Sequence, residues 1–195
     1  MQSFLFILSA LFWFTASNAL PSGVFQDMKA RTIVPVPDTC GNSSDAVPLF
    51  ATSGGPIHDF VLDTSTVAIT SLVGPQGFTF VGVSARVFTT QETSTMPLYQ
   101  IYLVDGNSDI TDHIYTMSET ERNLALEVGY RDGGITGYIY PTQICGSIPY
   151  YRLDNSAATE HFYTVSEAER ESTLAEGGWS DEGIVGYVLP PNCTE

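Results

Sequence analysis

The amino-acid sequence predicts an α+β, β-rich fold: three ββαβ-like repeats of about 50 residues in a pseudo-threefold arrangement, with short capped helices packed on small antiparallel sheets. Three observations carry this. The string DHIYTMSETERNLALEVGYRDGGITGYIY over residues 112–140 returns almost unchanged as EHFYTVSEAERESTLAEGGWSDEGIVGYVL over 160–189. A weaker copy precedes both, over residues 48–90. In the two later copies, aromatic or apolar runs flank a helix-start signature and a closing glycine, which reads as strand, strand, helix, strand.

Residues 1–19 read as a signal peptide. The apolar run FLFILSALFWFTA over 4–16 is followed by the small-x-small pattern Ser17-Asn18-Ala19. That run is shorter than the roughly 20 apolar residues that span a bilayer. No later stretch is apolar enough to span, and no hydrophobic C-terminal tail suggests a lipid anchor. The chain is therefore expected to be secreted without a membrane anchor, its mature form starting near Leu20. Residues 20–47 form a lead-in. Its Arg31-Thr32-Ile33-Val34-Pro35-Val36-Pro37 is similar to the repeat tail Gly186-Tyr187-Val188-Leu189-Pro190-Pro191, which predicts an N-terminal strand closing the last unit.

A single domain then occupies 48–195, with units at 48–95, 96–147 and 148–195. The copies open on Pro48-Leu49-Phe50, Pro97-Leu98-Tyr99-Gln100-Ile101-Tyr102 and Pro149-Tyr150-Tyr151-Arg152-Leu153, each followed by a polar turn, longest in the second at 105–111. A short strand comes next, His113-Ile114-Tyr115-Thr116 or His161-Phe162-Tyr163-Thr164. Ser118 with Glu121, and Ser166 with Glu169, are capping boxes, and Gly129 and Gly177 suit the helix ends. Helices of roughly ten residues are too short to be stable alone and must pack on their own strands. Each unit closes on a β-rich run, Gly134 to Tyr140 or Gly183 to Leu189, whose glycines predict close backbone approach. The first copy has Phe60-Val61-Leu62, a helix over 66–73 without a capping box, and a last strand over 83–88. Asp59 stands where the later copies place His113 and His161.

Seven Lys and Arg face 22 Asp and Glu, a net charge of -15 over 195 residues. A surface that negative repels phosphate backbones, so nucleic acid is excluded as a partner, and solubility in an extracellular medium accounts for it. Eleven Phe, ten Tyr and two Trp argue against disorder. Cys40, Cys145 and Cys193 would sit in an oxidising compartment, where one disulfide is expected: Cys40 with Cys145, or Cys40 with Cys193. The third thiol stays free or pairs with another chain. Cysteines this far apart are no zinc clip. Asn42 and Asn192 are N-glycan acceptor sequons.

At Pro97-Leu98-Tyr99-Gln100-Ile101-Tyr102, Asp112-His113-Ile114-Tyr115-Thr116, Ser118 with Glu121-Arg122, and Gly134-Ile135-Thr136-Gly137-Tyr138-Ile139, the chain resembles a tandem-repeat family of secreted fungal and bacterial proteins. That family is classed as a domain of unknown function, in some bacterial proteins beside cell-wall or glycan-hydrolase modules. Residues 97–190 match it well and 48–90 weakly; the linkers 89–92 and 143–146 are similar to those of the fungal members. The resemblance implies secretion and a repeat fold. It implies no reaction.

On a strand, His113 and Tyr115 share one face while Asp112 and Ile114 share the other, so adjacent Asp and His do not chelate one metal. With Phe60, Ile114 and Phe162 aligned as the core face, His113, Tyr115, His161 and Tyr163 are expected to face the helix or a groove. They would form either a repeated aromatic-polar binding pocket or hydrogen bonds within their own repeat, to Glu121 or Glu169. Tyr130 and Trp179, after the helix glycine, are core residues or sugar-stacking platforms. Arg122 and Arg170 are expected to form ion pairs with nearby carboxylates or to meet an acidic ligand. Asp132, Asp181 and Glu182 would accept sugar hydroxyls or cap the turn. Loop 105–112 lacks EF-hand spacing, and no cofactor or metal is called for. No G-x-S-x-G, H-E-x-x-H or P-loop is present, and no catalytic residue stands out among the many carboxylates.

The function expected is non-catalytic binding of a cell-wall or extracellular polysaccharide. A glycan-degrading hydrolase would need one asymmetric acid-lined cleft in place of two like sites. The third alternative is a structural interaction protein, monomeric or dimerised through the odd cysteine.

Overall fold

A computed structural model of the chain describes residues 40–54, 59–104 and 110–192. The expected signal peptide 1–19, the lead-in through residue 39, loop residues 105–109 and Cys193 lie outside the described residues.

After a short 3-10 turn at Ser43–Asp45, repeat one comprises β1 (Val47–Gly54), β2 (Asp59–Asp63), α1 (Thr66–Val73) and β3 (Phe78–Val87). Repeat two comprises β4 (Met96–Val104), β5 (Ile110–Thr116), α2 (Glu119–Glu127) and β6 (Arg131–Ile139). Repeat three comprises β7 (Ile148–Asn155), β8 (Glu160–Thr164), α3 (Glu167–Glu176) and β9 (Ser180–Val188). Each repeat is thus strand, strand, helix, strand. Its antiparallel sheet places the first strand between the other two: β2-β1-β3, β5-β4-β6 and β8-β7-β9.

The helix starts follow the sequence signals. Ser118 and Ser166 accept hydrogen bonds from the Glu121 and Glu169 amides at 3.1 and 3.2 Å. The reciprocal half of the box is remade: the amides of Ser118 and Ser166 donate to the hydroxyls of Thr116 and Thr164, which frees Glu121 and Glu169 for other partners. Helix α1 is capped too. Ser65 accepts from the Ala68 amide and its own amide donates to Asp63, so a cap forms without a glutamate at the third position.

Strand register corrects the alignment of the first copy. Phe50 pairs with Asp63, Tyr99 with Thr116 and Tyr151 with Thr164. The equivalent set is therefore Phe60, His113 and His161, with Asp59 matching Asp112 and Glu160, and Val61 matching Ile114 and Phe162. Phe60 replaces a histidine; Asp59 does not.

Strands β2, β5 and β8 pack on one another, and each sheet's third strand meets its neighbours near its C-terminal end through the bridges Arg86–Leu189, Phe88–Tyr138 and Tyr140–Tyr187. The main core draws on all repeats, with Leu49, Leu62, Leu98, Tyr115, Tyr150 and Tyr163 among its buried members. Gly137 and Gly186 permit this approach: a Cβ would lie 2.7 Å from Val87 Cγ2 at the first and 2.6 Å from Ile139 Cδ1 at the second. A smaller cluster of Ala46, Phe88, Tyr140 and Leu189 lies where the bridges cross, with Cys145 packed against it. The Cys40–Cys145 disulfide, Cα atoms 5.6 Å apart, ties repeat two there to the segment preceding β1. The helices lie outside: α2 and α3 bury no residue, and α1 buries only Ile69.

Every sheet carries two β-bulges at matching places between its first and third strands. They leave Val81 and Ser84 unpaired in β3, Gly133 and Thr136 in β6, and Glu182 and Val185 in β9. A bulge re-aims a side chain, and in repeat three the side chain re-aimed is a carboxylate.

Candidate functional site at a repeat junction

The expectation that the His and Tyr face opens toward a helix or groove is corrected. Because β2, β5 and β8 pack together, that face lies between repeats, and His113, Tyr115, His161 and Tyr163 are 6%, 0%, 9% and 2% exposed. Their shortest hydrogen bonds run to the preceding repeat. The Tyr115 hydroxyl donates to the Leu62 carbonyl at 2.9 Å and accepts from its amide at 2.8 Å. The Tyr163 hydroxyl accepts from the Tyr115 amide at 2.8 Å. His113 Nδ1 lies 2.6 Å from Asp59, and His161 Nδ1 lies 2.9 Å from Asp112. Burial pushes the Tyr115 and Tyr163 phenols well above their ordinary range.

The polar wall of the junction between repeats two and three centres on Arg152. It rises from β7 at the position held by Gln100 in repeat two and Ala51 in repeat one. Its Nη2 donates to Glu121 at 2.6 Å, and Nη1 reaches the Tyr115 carbonyl at 3.5 Å. Its Nε lies 2.5 Å from Glu182, the bulge residue of β9; that N–H is not aligned on the oxygen, so the contact is an ion pair more than a directed hydrogen bond. Burial opposes charge on the guanidinium, but the Glu121 and Glu182 carboxylates more than offset it and hold the group protonated. Burial likewise pulls the Glu121 carboxyl up. Hydrogen bonds from Arg152 and Thr116 outweigh that and keep it below its ordinary value. Behind this cluster, His161 Nε2 sits 3.6 Å from Glu182 and 3.8 Å from Asp154. In front of it opens a cleft of about 420 Å³, whose polar side is Thr116, Ser118, Glu121, Arg152 and Glu182 and whose apolar side includes Met117 and Ile184.

Tyr130 and Trp179 are half-buried, one per repeat, and are not brought together. The Tyr130 hydroxyl donates to Asp112 at 3.1 Å, joining the histidine pair, while Trp179 packs edge-on to Phe162. Arg122 and Arg170 form the expected ion pairs, with Asp132 and Asp181, and stack over the Tyr99 and Tyr151 rings. Those aspartates also cap the bulge, accepting from the Gly134 and Gly183 amides at 2.9 and 3.0 Å. Asn42 and Asn192 are exposed. Among the described residues no group of three or more His, Cys, Asp or Glu is placed to hold a metal ion, and no helix is long and apolar enough to cross a membrane.

Sequence reasoning missed Arg152 as a site residue. Its signal was a lone cation in the aromatic run Tyr150-Tyr151-Arg152-Leu153, in a chain with seven basic residues.

Fold and site together define a β-rich domain of three repeat-like units, with a polar cluster where two of the units meet. The chain belongs to the DUF5648 family, a domain of unknown function, whose family model matches residues 57–189. No curated protein and no solved structure matches the chain.

Proposed function

We propose that this is a secreted, non-catalytic binding protein for an uncharged extracellular or cell-wall glycan, its three repeats related by a pseudo-threefold axis, with the glycan held in the cleft between repeats two and three. The observation that carries the reading is Arg152, a buried guanidinium clamped by Glu121 and Glu182 on the wall of an open cleft. Charged donors and acceptors fixed in this way hydrogen-bond sugar hydroxyls without reorganising, and Met117 and Ile184 offer an apolar surface for C–H faces. The net charge of -15 disfavours anionic polymers. One asymmetric acid-lined cleft is also what a hydrolase would need. A general acid, however, requires a carboxyl raised toward neutral pH, whereas Glu121 is lowered and tied to a guanidinium. Binding is the better-supported role.

The test is depletion of the chain from Leu20 onward by insoluble chitin, β-glucan, cellulose and peptidoglycan, with released sugar assayed in the same tubes. Selective depletion by one polysaccharide without sugar release is expected, weakened about tenfold by Glu182→Ala, the equivalent of about 1.4 kcal/mol. Sugar release would make the protein an enzyme. Depletion by none of the four would overturn the glycan reading.

A further inference from the structure

A second hollow, of about 170 Å³, opens between repeats three and one. Position for position it is the junction that holds Arg152, stripped of all its charged groups but one carboxylate. Thr164 and Glu169 stand where Thr116 and Glu121 stand in the first junction. Across from them, Ala51 takes the place of Arg152, Val81 that of Glu182, and Phe60 that of His161. A guanidinium, its second carboxylate and an imidazole are thus lost together. What remains is Glu169, hydrogen-bonded to the Thr164 hydroxyl, beside a space walled by Phe60, Phe162 and Val83. Val81 and Val83 are 59% and 38% exposed at its mouth, while Ala51 is buried at its base.

We infer that this hollow is a binding site for a guanidinium carried on an apolar stem, the side chain of arginine being the type, supplied by a ligand and not by the chain. The first junction shows the geometry: there a guanidinium reaching from the equivalent backbone position meets the equivalent glutamate at 2.6 Å. Here the glutamate is in place and the cation that would reach it has shrunk to a methyl group. The aromatic and aliphatic walls suit the methylene stem, and a planar fork meets a carboxylate through two parallel hydrogen bonds, which an ammonium does not. At roughly 30 Å³ per water, the space corresponds to about six waters, enough for one such side chain.

Titration calorimetry with N-acetylarginine methylamide, and in a separate arm with the peptide Gly-Arg-Gly, tests the site. Saturable one-to-one binding of either probe is expected, and which of them binds more tightly separates a free small molecule from an arginine in a protein segment. Binding should weaken about tenfold in Glu169→Gln, vanish in Ala51→Arg, which supplies the missing guanidinium from within, and be absent for the uncharged isostere N-acetylcitrulline methylamide. Glu182→Ala should leave it intact, which separates this site from the glycan cleft. No saturable binding of either probe, or binding unaltered by Glu169→Gln, would overturn the inference. Should Ala51→Arg fail to fold, Glu169→Gln decides.

Discussion

Arg152, Gln100 and Ala51 occupy one structural position, and the chemistry of each junction follows from which of them is present. Gln100 donates to the Tyr115 hydroxyl at 3.3 Å, Arg152 gathers two carboxylates, and Ala51 leaves a hollow. Removing the guanidinium would leave Glu121 and Glu182 facing each other uncompensated. Because both side chains are about a third exposed, solvent screens part of the effect, and Arg152→Ala is expected to cost about 2 kcal/mol in chemical denaturation. The pair also sets an acid limb. Glu121 has its folded pKa below the ordinary 4.5, so its contribution is fully present above that value and is lost as pH falls through the lowered one. Glu121→Gln should therefore flatten the loss of stability below about pH 4.5. A limb of unchanged slope would assign acid sensitivity to other carboxylates.

The elements were legible where local chemistry decides them. The serine caps mark the starts of α2 and α3, and Ser118→Ala or Ser166→Ala is expected to cost about 1 kcal/mol each by thermal unfolding. Of the closing-strand glycines expected at close approaches, Gly137 and Gly186 are such sites, whereas Gly134 and Gly183 have open space at the Cβ position and are glycine because their φ is +86° and +83°. A Cβ on Gly137 would meet the branched Val87 side chain at 2.7 Å and the Phe88 carbonyl at 3.2 Å. On Gly186 it would meet only the flexible ends of Ile139 and Met117, so Gly137→Ala should destabilise by about 2 kcal/mol and Gly186→Ala by less. What stayed hidden is long-range. Strand β5 alternates His113 and Tyr115 with Asp112 and Ile114, and the pattern alone cannot say which face meets another repeat. Matching Phe60 to Ile114 by hydrophobicity shifted the first copy by one residue, because Phe60 is apolar where its equivalents are histidines. The bulge that turns Glu182 toward Arg152 is marked in the sequence only by the positive-φ Gly183 behind it and the Asp181 that caps it, a pattern that does not say which way the carboxylate points.

At the scale of the whole molecule, stability should reside in the contacts between repeats. Helices α2 and α3 bury no residue, while the tyrosine hydroxyls hydrogen-bond the backbone of the preceding repeat. The Cys40–Cys145 link closes 105 residues of chain, and on the chain-entropy account its reduction removes about 4.7 kcal/mol, a loss that should appear as a lower melting temperature in reductant. A sharper test of inter-repeat cohesion comes from alkali. Burial raises the phenols of Tyr115, Tyr150 and Tyr163 above the ordinary 10.0, and these residues come from repeats two and three while bonding to partners in repeats one and two. A phenol whose folded pKa is raised stabilises the fold fully below pH 10.0, and that contribution is lost as pH climbs toward the raised value. Phenolate absorbance of the ten tyrosines should therefore rise in two phases. The later phase belongs to the phenols that burial holds up, those of Tyr115, Tyr150 and Tyr163 together with Tyr130 and Tyr140, and it should coincide with the loss of β-sheet ellipticity. Tyr163→Phe, which removes the hydroxyl seated on the Tyr115 amide, should shrink the second phase and bring unfolding to lower pH. If all ten ionised in one early phase while the sheet signal persisted, the hydroxyls would not be sealed between repeats, and the junctions would be looser than these hydrogen bonds require.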